Sequence, residues 1–351
     1  MISTALIGFG FAGRTFHAPL LSSVDGISLS AILERHGDEA EKAYPSARII
    51  RTLEELLGLN DIQLVVVATS NPSHFSIAAA CLGAGKSVVL DKPFTTTADE
   101  ARQLITLAAD RNHLLSVFHN RRWDGDFLTA KQLFHQGRIG RLTRFESYFD
   151  RFRPNVDKNA WRQRDEPGSG VLFDLGSHLL DQALVLFGDP LSVTAGIRRE
   201  RDNAIVDDAF DIALDYPTGL RVVCGASVLA CAKRPRFALH GTAGSWMKLG
   251  LDPQEAALKS GLRPANPHWL QQIAEPDATL FSCDGNRETR TPLPILQGNY
   301  IAYYENVRDA LLEKTSLAVT GTQALRVMEL LELCRQSSQE RKSLPVTLSP
   351  L

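Results

Sequence analysis

The N-terminal segment ALIGFGFAG constrains the fold more than any other part of the sequence. Gly8, Gly10 and Gly13 stand in G-x-G-x-x-G spacing, directly after a predicted strand and at the start of a predicted helix. In that position the first glycine permits a tight turn, the second lets the backbone approach a pyrophosphate, and the third lets helix and strand pack closely. The motif predicts a βαβ unit that binds a dinucleotide. The alternative is a glycine-rich turn without a ligand.

The pattern of apolar residues divides the chain into two parts. Up to Asn120, predicted strands alternate with helices, and the segment IQLVVVAT is apolar on both faces, as in the interior of a parallel sheet. After Asn120 a helix leads into longer strands separated by turns such as YPTG, which favours a mostly antiparallel sheet. Two helices close the chain. We predict an α/β protein with a doubly wound parallel sheet in residues 1–121, followed by a second domain in residues 122–351.

Composition excludes several classes of protein. The 351 residues carry a formal net charge of −2, whereas a general nucleic-acid binder usually shows a basic excess. No apolar run approaches the ~20 residues of a membrane span, and the N-terminus begins as strand-like sequence. The five cysteines are scattered without a C-x-x-C pair, which is typical of reduced thiols. We therefore expect a cytoplasmic protein whose partner is a small molecule rather than a nucleic acid or a membrane.

One locally basic segment, RFRPNVDKNAWRQR, stands out against this balance. Asp157 interrupts it, and it is too short to outweigh the rest of the chain. We interpret it either as a loop near an anionic ligand or as a solvated loop.

Residues at the carboxyl ends of the predicted parallel strands are candidates for cofactor binding, because ligands of open α/β sheets bind at that edge. Glu34 follows the second strand, about 20 residues after Gly13, where a carboxylate binds the ribose hydroxyls and repels a 2′-phosphate. NAD is therefore favoured, but Arg35 could hold a 2′-phosphate, and Glu34 could simply be solvated. The candidates are Gly8, Phe9, Gly10, Phe11, Ala12, Gly13, Glu34, Arg35, Thr69, Asn71, Pro72, Asp91, Lys92 and Asn120.

Lys92 is a charged residue at the end of the apolar run in KSVVLDKP. The run reads as the fifth strand of the parallel sheet, bounded by Pro93 and three threonines. A strand in that sheet ends at the same edge as the glycine-rich turn. We therefore expect Lys92 to face the dinucleotide crevice.

A second glycine-rich stretch, EPGSGVLFDLGSHLLDQ, places Asp174 and His178 four residues apart. If a helix begins near Gly176, both side chains can face one pocket. A histidine that titrates near neutrality beside a carboxylate suits a general acid or base. The alternative is a buried structural histidine with a carboxylate partner. Asp174, His178 and Asp181 could also bind a metal, but no other His/Cys cluster lies nearby, and we predict no metal site.

These motifs together resemble the glucose–fructose oxidoreductase/inositol dehydrogenase/rhizopine-catabolism (Gfo/Idh/MocA) family. The resemblance rests on G-x-G-x-x-G, the Lys-Pro step after the fifth strand and D-x-G-x-H, and it extends to NRRWD, GRIGRL, WRQR, HGTAGSW and GNYIAYY. It implies a Rossmann domain followed by an α+β domain with an open, mostly antiparallel sheet that often forms the dimer interface. It also implies NAD(P)-dependent oxidation or reduction of a sugar, cyclitol or related polyol.

The resemblance assigns expected roles to individual residues. It implies that Lys92 lies at the reacting oxygen, that His178 acts as acid or base, and that Asp174 orients the substrate or His178. Asp91 stands where the family usually carries glutamate, and this is the one departure from the motif. The candidate substrate-binding residues are Arg122, Trp161, Arg162, Asp174, His178 and Tyr304. The arginines among them could equally form salt bridges between domains.

Two other functions remain open at this point. The first is a regulatory protein that senses a nucleotide without turnover, which would not need Lys92, Asp174 and His178 together. The second is a glycosidase that retains NAD and uses transient oxidation to assist elimination.

Overall fold

The protein's structure, a computed structural model, describes residues 1–157, 163–264, 266, 269, 277–284 and 287–351. Within these ranges two sheets follow each other along the chain, as the change of pattern after Asn120 predicts. No described helix combines the length and the apolar character that crossing a membrane requires.

The first sheet is parallel throughout. Its strands are β1 (Ile2–Ile7), β2 (Ile27–Leu33), β3 (Arg48–Ile50), β4 (Leu64–Val67), β5 (Ser87–Leu90) and β6 (Leu115–Val117). They lie in the order β3-β2-β1-β4-β5-β6, which is that of a Rossmann fold. The strand order reverses between β1 and β4, and dinucleotides bind in the crevice at the carboxyl ends of the strands at such a point.

Short helices connect these strands and cover the sheet. They are α1 (Ala18–Leu21), α2 (Glu39–Ala43), α3 (Leu53–Leu57), α4 (His74–Gly83) and α5 (Ala98–Asp110). A π-helical turn, Gly13–His17, precedes α1. Val66 and Val89 are fully buried, as expected for strands covered on both faces.

The second sheet has nine strands, which are mostly antiparallel as predicted. They are β7 (Leu142–Tyr148), β8 (Ser192–Arg198), β9 (Ala209–Asp215), β10 (Arg221–Ser227), β11 (Phe237–Gly241), β12 (Gly244–Lys248), β13 (Ala278–Asp284), β14 (Arg287–Pro292) and β15 (Leu344–Pro345). Their order is β14-β13-β12-β11-β7-β10-β9-β8-β15. Among these pairs β7 and β10 are parallel.

The helices of the second half hold the two sheets together. They are α6 (Gly125–His135), α7 (Ser177–Phe187), α8 (Gln254–Lys259), α9 (Ile301–Leu311) and α10 (Gly321–Glu340). Helix α10 packs against β8 and α7 and also against α5 of the first half. The end of the chain therefore returns to the Rossmann fold.

Polar contacts strengthen this bridge between α10 and the Rossmann fold. The Glu329 carboxylate of α10 pairs with Arg102 at 2.8 Å, and Glu332 accepts the main-chain N–H of Ala98 at 2.7 Å. The predicted division at residue 121 falls within a 3-10 turn, Asn120–Trp123, and it stays a prediction. Since both halves contribute to the bridge, side chains from both can be held at one site.

Candidate functional site

The glycine-rich turn has the local geometry that its sequence predicts. Gly8 has φ +96°, and a Cβ there would lie 2.6 Å from the main-chain oxygen of Ala68. A Cβ at Gly13 would lie 2.0 Å from the oxygen of Gly8. A Cβ at Gly10 would meet no described atom within 4 Å and would project into open space. The backbone at Gly10 is thus open to a close ligand, and the turn fits the diphosphate of a dinucleotide.

A cleft of about 1250 Å³ runs along the carboxyl ends of β1, β2 and β4. The predicted cofactor residues that line it are Gly8, Phe9, Gly10, Phe11, Ala12, Glu34, Arg35, Thr69, Asn71 and Asp91. Gly13 is buried behind the turn, where it serves packing. Pro72 is exposed in the 3-10 turn Asn71–Ser73 and does not line this cleft, so its contact with the cofactor stays a prediction.

Charges of both signs meet at the end of the cleft next to β2. The Glu34 Oε2 atom accepts the main-chain N–H of Ala40 at 3.3 Å and lies 3.9 Å from Nη1 of Arg51. Arg35 and His36 are exposed at the same rim. The carboxylate that favours NAD is therefore present, and so are cations that could accept a 2′-phosphate.

A second cavity, of about 440 Å³, adjoins this cleft. It shares Phe11, Ala12 and Asp91 with the cleft, and four more predicted residues line it, namely Lys92, Asn120, Asp174 and His178. The structure thus brings the cofactor candidates and the proposed catalytic residues to neighbouring cavities. Lys92 and Asn120 lie on the side of the second cavity rather than in the cleft.

Lys92 and Asp174 form the central contact of the second cavity. The Nζ atom of Lys92 donates to the main-chain oxygen of Asp174 at 2.7 Å and to its Oδ1 at 2.9 Å. Lys92 follows β5, and Asp174 lies in a π-helical turn, Leu172–Gly176, that leads into α7. Arg151 lies 3.7 Å from the other carboxylate oxygen of Asp174. Two cations therefore share one carboxylate.

His178 lies in the first turn of α7 and is buried, with 4% of its surface exposed. Its Nδ1 has no hydrogen-bond partner among the described residues. Burial lowers the pKa of His178 well below its ordinary value, and the charges of Lys92 and Arg121 lower it further. The imidazole is therefore neutral near neutral pH, and its ring lines the second cavity.

Asp91 lies beside His17, which is hydrogen-bonded to Tyr304 behind the cleft. Tyr304 Oη and His17 Nδ1 are 2.6 Å apart, and His17 Nε2 lies 3.7 Å from Asp91 Oδ1. Asp91 Oδ1 also accepts the main-chain N–H of Lys92 at 2.8 Å. Burial by itself raises the pKa of Asp91, but its contacts with His17 and the charge of Lys92 outweigh burial and lower the pKa to about 2. The shorter carboxylate at this position is thus ionised and oriented.

Two predicted substrate contacts are not supported. The Arg122 guanidinium binds both carboxylate oxygens of Asp181, at 2.9 and 2.6 Å, and also donates to Gln323 Oε1. Arg122 lines a cavity separate from the one that contains Lys92 and His178. Its contacts are those of a structural salt bridge. Tyr304 is fully buried against His17 and does not line the second cavity. Trp161 and Arg162 lie outside the described residues.

Asp174 and Asp181, the two carboxylates of the alternative metal site, each form an ion pair with a different cation. Asp174 pairs with Lys92, and Asp181 pairs with Arg122. Within the described ranges, no group of three or more His, Cys, Asp or Glu side chains is placed to hold a metal ion.

The structure also adds residues that the sequence did not single out as site residues. They are Arg121, Arg151, Arg153, Glu255 and Lys259, all of which line the second cavity. A signal existed for Arg151 and Arg153, since both belong to the basic segment interpreted as a loop near an anion or a solvated loop. Glu255 and Lys259 come from α8, a helix of six residues that periodicity does not predict.

Comparison with known proteins identifies this arrangement. Residues 2–119 match the Gfo/Idh/MocA model described as the oxidoreductase family's NAD-binding Rossmann fold, and residues 131–348 match the model of its C-terminal alpha/beta domain. The chain is 43% identical over 343 residues to the uncharacterized oxidoreductase YdgJ of Escherichia coli, and the match covers 98% of each.

Two further matches, one to a relative and one to a solved structure, come from Bacillus subtilis. The scyllo-inositol 2-dehydrogenase (NADP(+)) IolW is 36% identical over 343 residues, which cover 98% of this chain and 95% of that relative. The solved structure of yvaA has a TM-score of 0.93 at 35% identity and covers 99% of this chain and 98% of that one. The resemblance seen in the motifs is thus confirmed over both halves, and the N-terminal half is the NAD-binding Rossmann fold. The chain belongs to the Gfo/Idh/MocA oxidoreductase family.

Proposed function

We propose that the chain is an NAD(P)-dependent dehydrogenase or reductase acting on CH–OH groups. It would transfer a hydride between the nicotinamide and a carbinol or carbonyl carbon of a sugar, cyclitol or related polyol. The observation that carries the proposal is the contiguity of two cavities. The cleft at the glycine-rich turn meets, at Asp91, the cavity lined by Lys92, Asp174 and His178.

The cleft offers a place for each part of a dinucleotide. The turn from Gly10 to Ala12 would hold the diphosphate, and Glu34 and Arg35 would contact the adenosine ribose. When bound, the nicotinamide supplies the carbon that accepts or donates the hydride. Glu34 favours NAD. Arg35 and the NADP-dependence of the relative IolW are compatible with NADP.

Lys92 would stabilise negative charge on the reacting oxygen. An ammonium group has three N–H donors, and Asp174 accepts two from Lys92, at 2.7 and 2.9 Å. Lys92 Nζ has no third hydrogen-bond partner among the described residues, so its third N–H can bind an oxygen in the cavity that both residues line. A fixed donor at the position where charge develops lowers the barrier without reorganisation during the reaction.

His178 would remove the hydroxyl proton during oxidation. Its imidazole is neutral, and the ring lines the same cavity as Lys92. A positioned base of this kind contributes about 10²- to 10⁴-fold in rate. Asp174 would hold Lys92 and orient a substrate hydroxyl.

The polar lining supports a polyol as substrate. Fixed polar groups select substrates with hydroxyls, since an analogue that lacks them leaves those groups unpaired. The relative IolW is named for scyllo-inositol, so this cyclitol belongs first in a substrate screen. The two rival functions predict different behaviour in that screen. A regulator would give no turnover, and an NAD-retaining glycosidase would cleave glycosides without net formation of reduced cofactor.

The test is a screen of NAD and NADP with inositols, sugars and sugar acids, followed by the absorbance of the reduced nicotinamide. The expected result is turnover with at least one polyol that Lys92→Met slows by about 10²-fold or more and that Lys314→Met leaves intact. Lys314 is an exposed lysine beyond α9 and provides the matched control. Full turnover by Lys92→Met with normal cofactor binding would contradict the proposed role of Lys92.

The remaining parts of the proposal concern assembly and location. We propose a homodimer or higher homo-oligomer formed through the nine-stranded sheet, in the cytoplasm. The partly exposed Asp211 of this sheet pairs with Arg198 and Arg234 at 2.7 and 2.9 Å, which provides a polar surface for such contact. Light scattering after size exclusion tests the assembly, and a monomeric mass at working concentration would contradict it.

A further inference from the structure

We propose that Lys259, which comes from the second half of the chain, binds the diphosphate of the dinucleotide from the side opposite the glycine-rich turn. This inference rests on the proposed function, because it assumes that the cleft holds a dinucleotide. It adds a cationic contact across the two halves of the protein to the backbone contacts of the turn.

The placement of α8 supports this role. Helix α8 packs against the π-helical turn Gly13–His17, which directly follows the glycine-rich turn. At the end of α8, Lys259 Nζ lies 5.6 Å from the centroid of the Phe11 ring. Lys259, Phe11 and Ala12 line one cavity, and the latter two also line the cofactor cleft. The ammonium group thus lies beside the Phe11 side chain, where the second cavity adjoins the cofactor cleft.

The charges around Lys259 support an anion at this position. The segment GFGFAG contains no charged side chain, so the turn offers only backbone dipoles to a diphosphate. Lys259 pairs with Glu255, and the same carboxylate also pairs with Arg121. Arg121 has a second carboxylate partner, Asp124 at 3.3 Å, whereas among the described residues Lys259 pairs with Glu255 alone, so a ligand anion would be its second partner. The Lys259 side chain is 41% exposed and has room to move toward a ligand.

The contact between Lys259 and the diphosphate would also connect the cofactor cleft with the second cavity. Arg121 lines the second cavity and shares Glu255 with Lys259. If the diphosphate draws Lys259 away from Glu255, the carboxylate is left to Arg121, beside the proposed substrate position. The ordinary alternative is that Lys259 is a surface cation that pairs only with Glu255, as i,i+4 neighbours on a helix often do.

Calorimetric binding of ADP-ribose and of adenosine distinguishes these roles without any turnover. We expect Lys259→Met to weaken ADP-ribose binding about tenfold, the lower end for loss of a hydrogen bond between charged groups. Binding of adenosine, which lacks the diphosphate, should not change. Lys259→Arg should retain most of the affinity for ADP-ribose, and the control Lys314→Met all of it. Far-ultraviolet circular dichroism would verify that each variant is folded.

The outcomes separate this inference from the proposed function. If wild type and Lys259→Met bind ADP-ribose equally, Lys259 does not contact the diphosphate, while the dinucleotide site stands. If the variant loses adenosine and ADP-ribose affinity alike, the effect is not specific to the diphosphate and the inference is wrong. If the wild type binds no ADP-ribose at all, the proposed cofactor site fails together with the inference.

Discussion

Lys92 Nζ lies 2.7 Å from the main-chain oxygen of Asp174 and 2.9 Å from its Oδ1 atom. The two residues are 82 positions apart in the chain. This pair joins the end of β5 in the Rossmann fold to the π-helical turn that leads into α7. It places an ammonium group with one remaining donor in the cavity next to the cofactor cleft. The proposed chemistry depends on this contact.

The pair predicts non-additive kinetics. Lys92→Met should lower kcat by about 10²- to 10³-fold, the usual effect of removing one donor to a developing oxyanion. Asp174→Asn should lower it roughly tenfold, because the ammonium loses one ionic partner. The double variant should be no slower than Lys92→Met alone, since Asp174 acts largely through Lys92. The exposed control Asp202→Asn should match wild type. Additive losses in the cycle would show that the residues act separately.

The state of His178 predicts the acid side of the pH–rate profile. Burial, followed by the charges of Lys92 and Arg121, lowers the pKa of this histidine well below its ordinary value. The neutral base should therefore persist as the pH falls past about 6.5, and kcat/KM for oxidation should stay level there. His178→Asn should reduce kcat/KM by about 10²- to 10⁴-fold. The exposed His135→Asn on α6 is the control. A wild-type profile that falls with an apparent pKa near 6.5 would exclude His178 as the base.

His119 predicts a loss of stability in acid. Burial lowers its pKa to about 4, and its Nδ1 lies 3.9 Å from Asp181 Oδ2. In the unfolded chain this histidine binds a proton below about pH 6.5, whereas in the folded chain it stays neutral, so folding free energy is lost as the pH falls. Between about pH 7 and pH 5 the loss amounts to about 2 kcal/mol.

Urea unfolding of the wild type and of His119→Gln measures this contribution of His119 to the free energy of unfolding. The wild type should lose about 2 kcal/mol more than the variant over the same pH range, because glutamine does not titrate. Other buried histidines, such as His74, contribute equally to both proteins and cancel in the comparison. Parallel pH dependences would mean that His119 has no lowered pKa in the folded protein.

Glu34 predicts the balance between NAD and NADP. Its carboxylate lies at the rim of the cleft with Arg35 and Arg51 nearby. Glu34→Ser should raise the ratio of kcat/KM for NADP over NAD by about tenfold or more, since like charges in a binding site cost several kcal/mol. Glu41→Ser, an exposed change on α2, should leave the ratio unchanged. An unaltered ratio in Glu34→Ser would show that this carboxylate does not select the cofactor.

The fold was largely predictable because two local signals agree over long segments. Alternation of strands and helices predicts the parallel sheet, and the glycine spacing marks its first turn. Strands β13 and β14 in the segment 259–297 were not predicted, because the prolines and polar residues there leave no clear alternation of apolar residues. In β14, for example, all six residues are exposed, so no apolar pattern marks this strand.

The site was only partly predictable, because side-chain direction in short turns has no simple period. Arg121 and Arg122 are neighbours in the 3-10 turn Asn120–Trp123, yet the first pairs with Glu255 and the second with Asp181. The sequence analysis chose Arg122 as a candidate, whereas the structure places Arg121 at the second cavity. Tyr304 is a similar case, since a predicted helix does not show that its hydroxyl meets His17 at 2.6 Å.

The most direct test of the central claim is hydride transfer followed with a deuterium label. The protein is incubated with NAD or NADP and a polyol substrate that carries deuterium on the reacting carbinol carbon. Mass spectrometry then locates the label. We expect the deuterium to appear on the nicotinamide ring, with one reduced cofactor formed for each polyol oxidised. Absence of label on the ring for every polyol that the protein converts, or cleavage of a glycoside without net reduced cofactor, would contradict it.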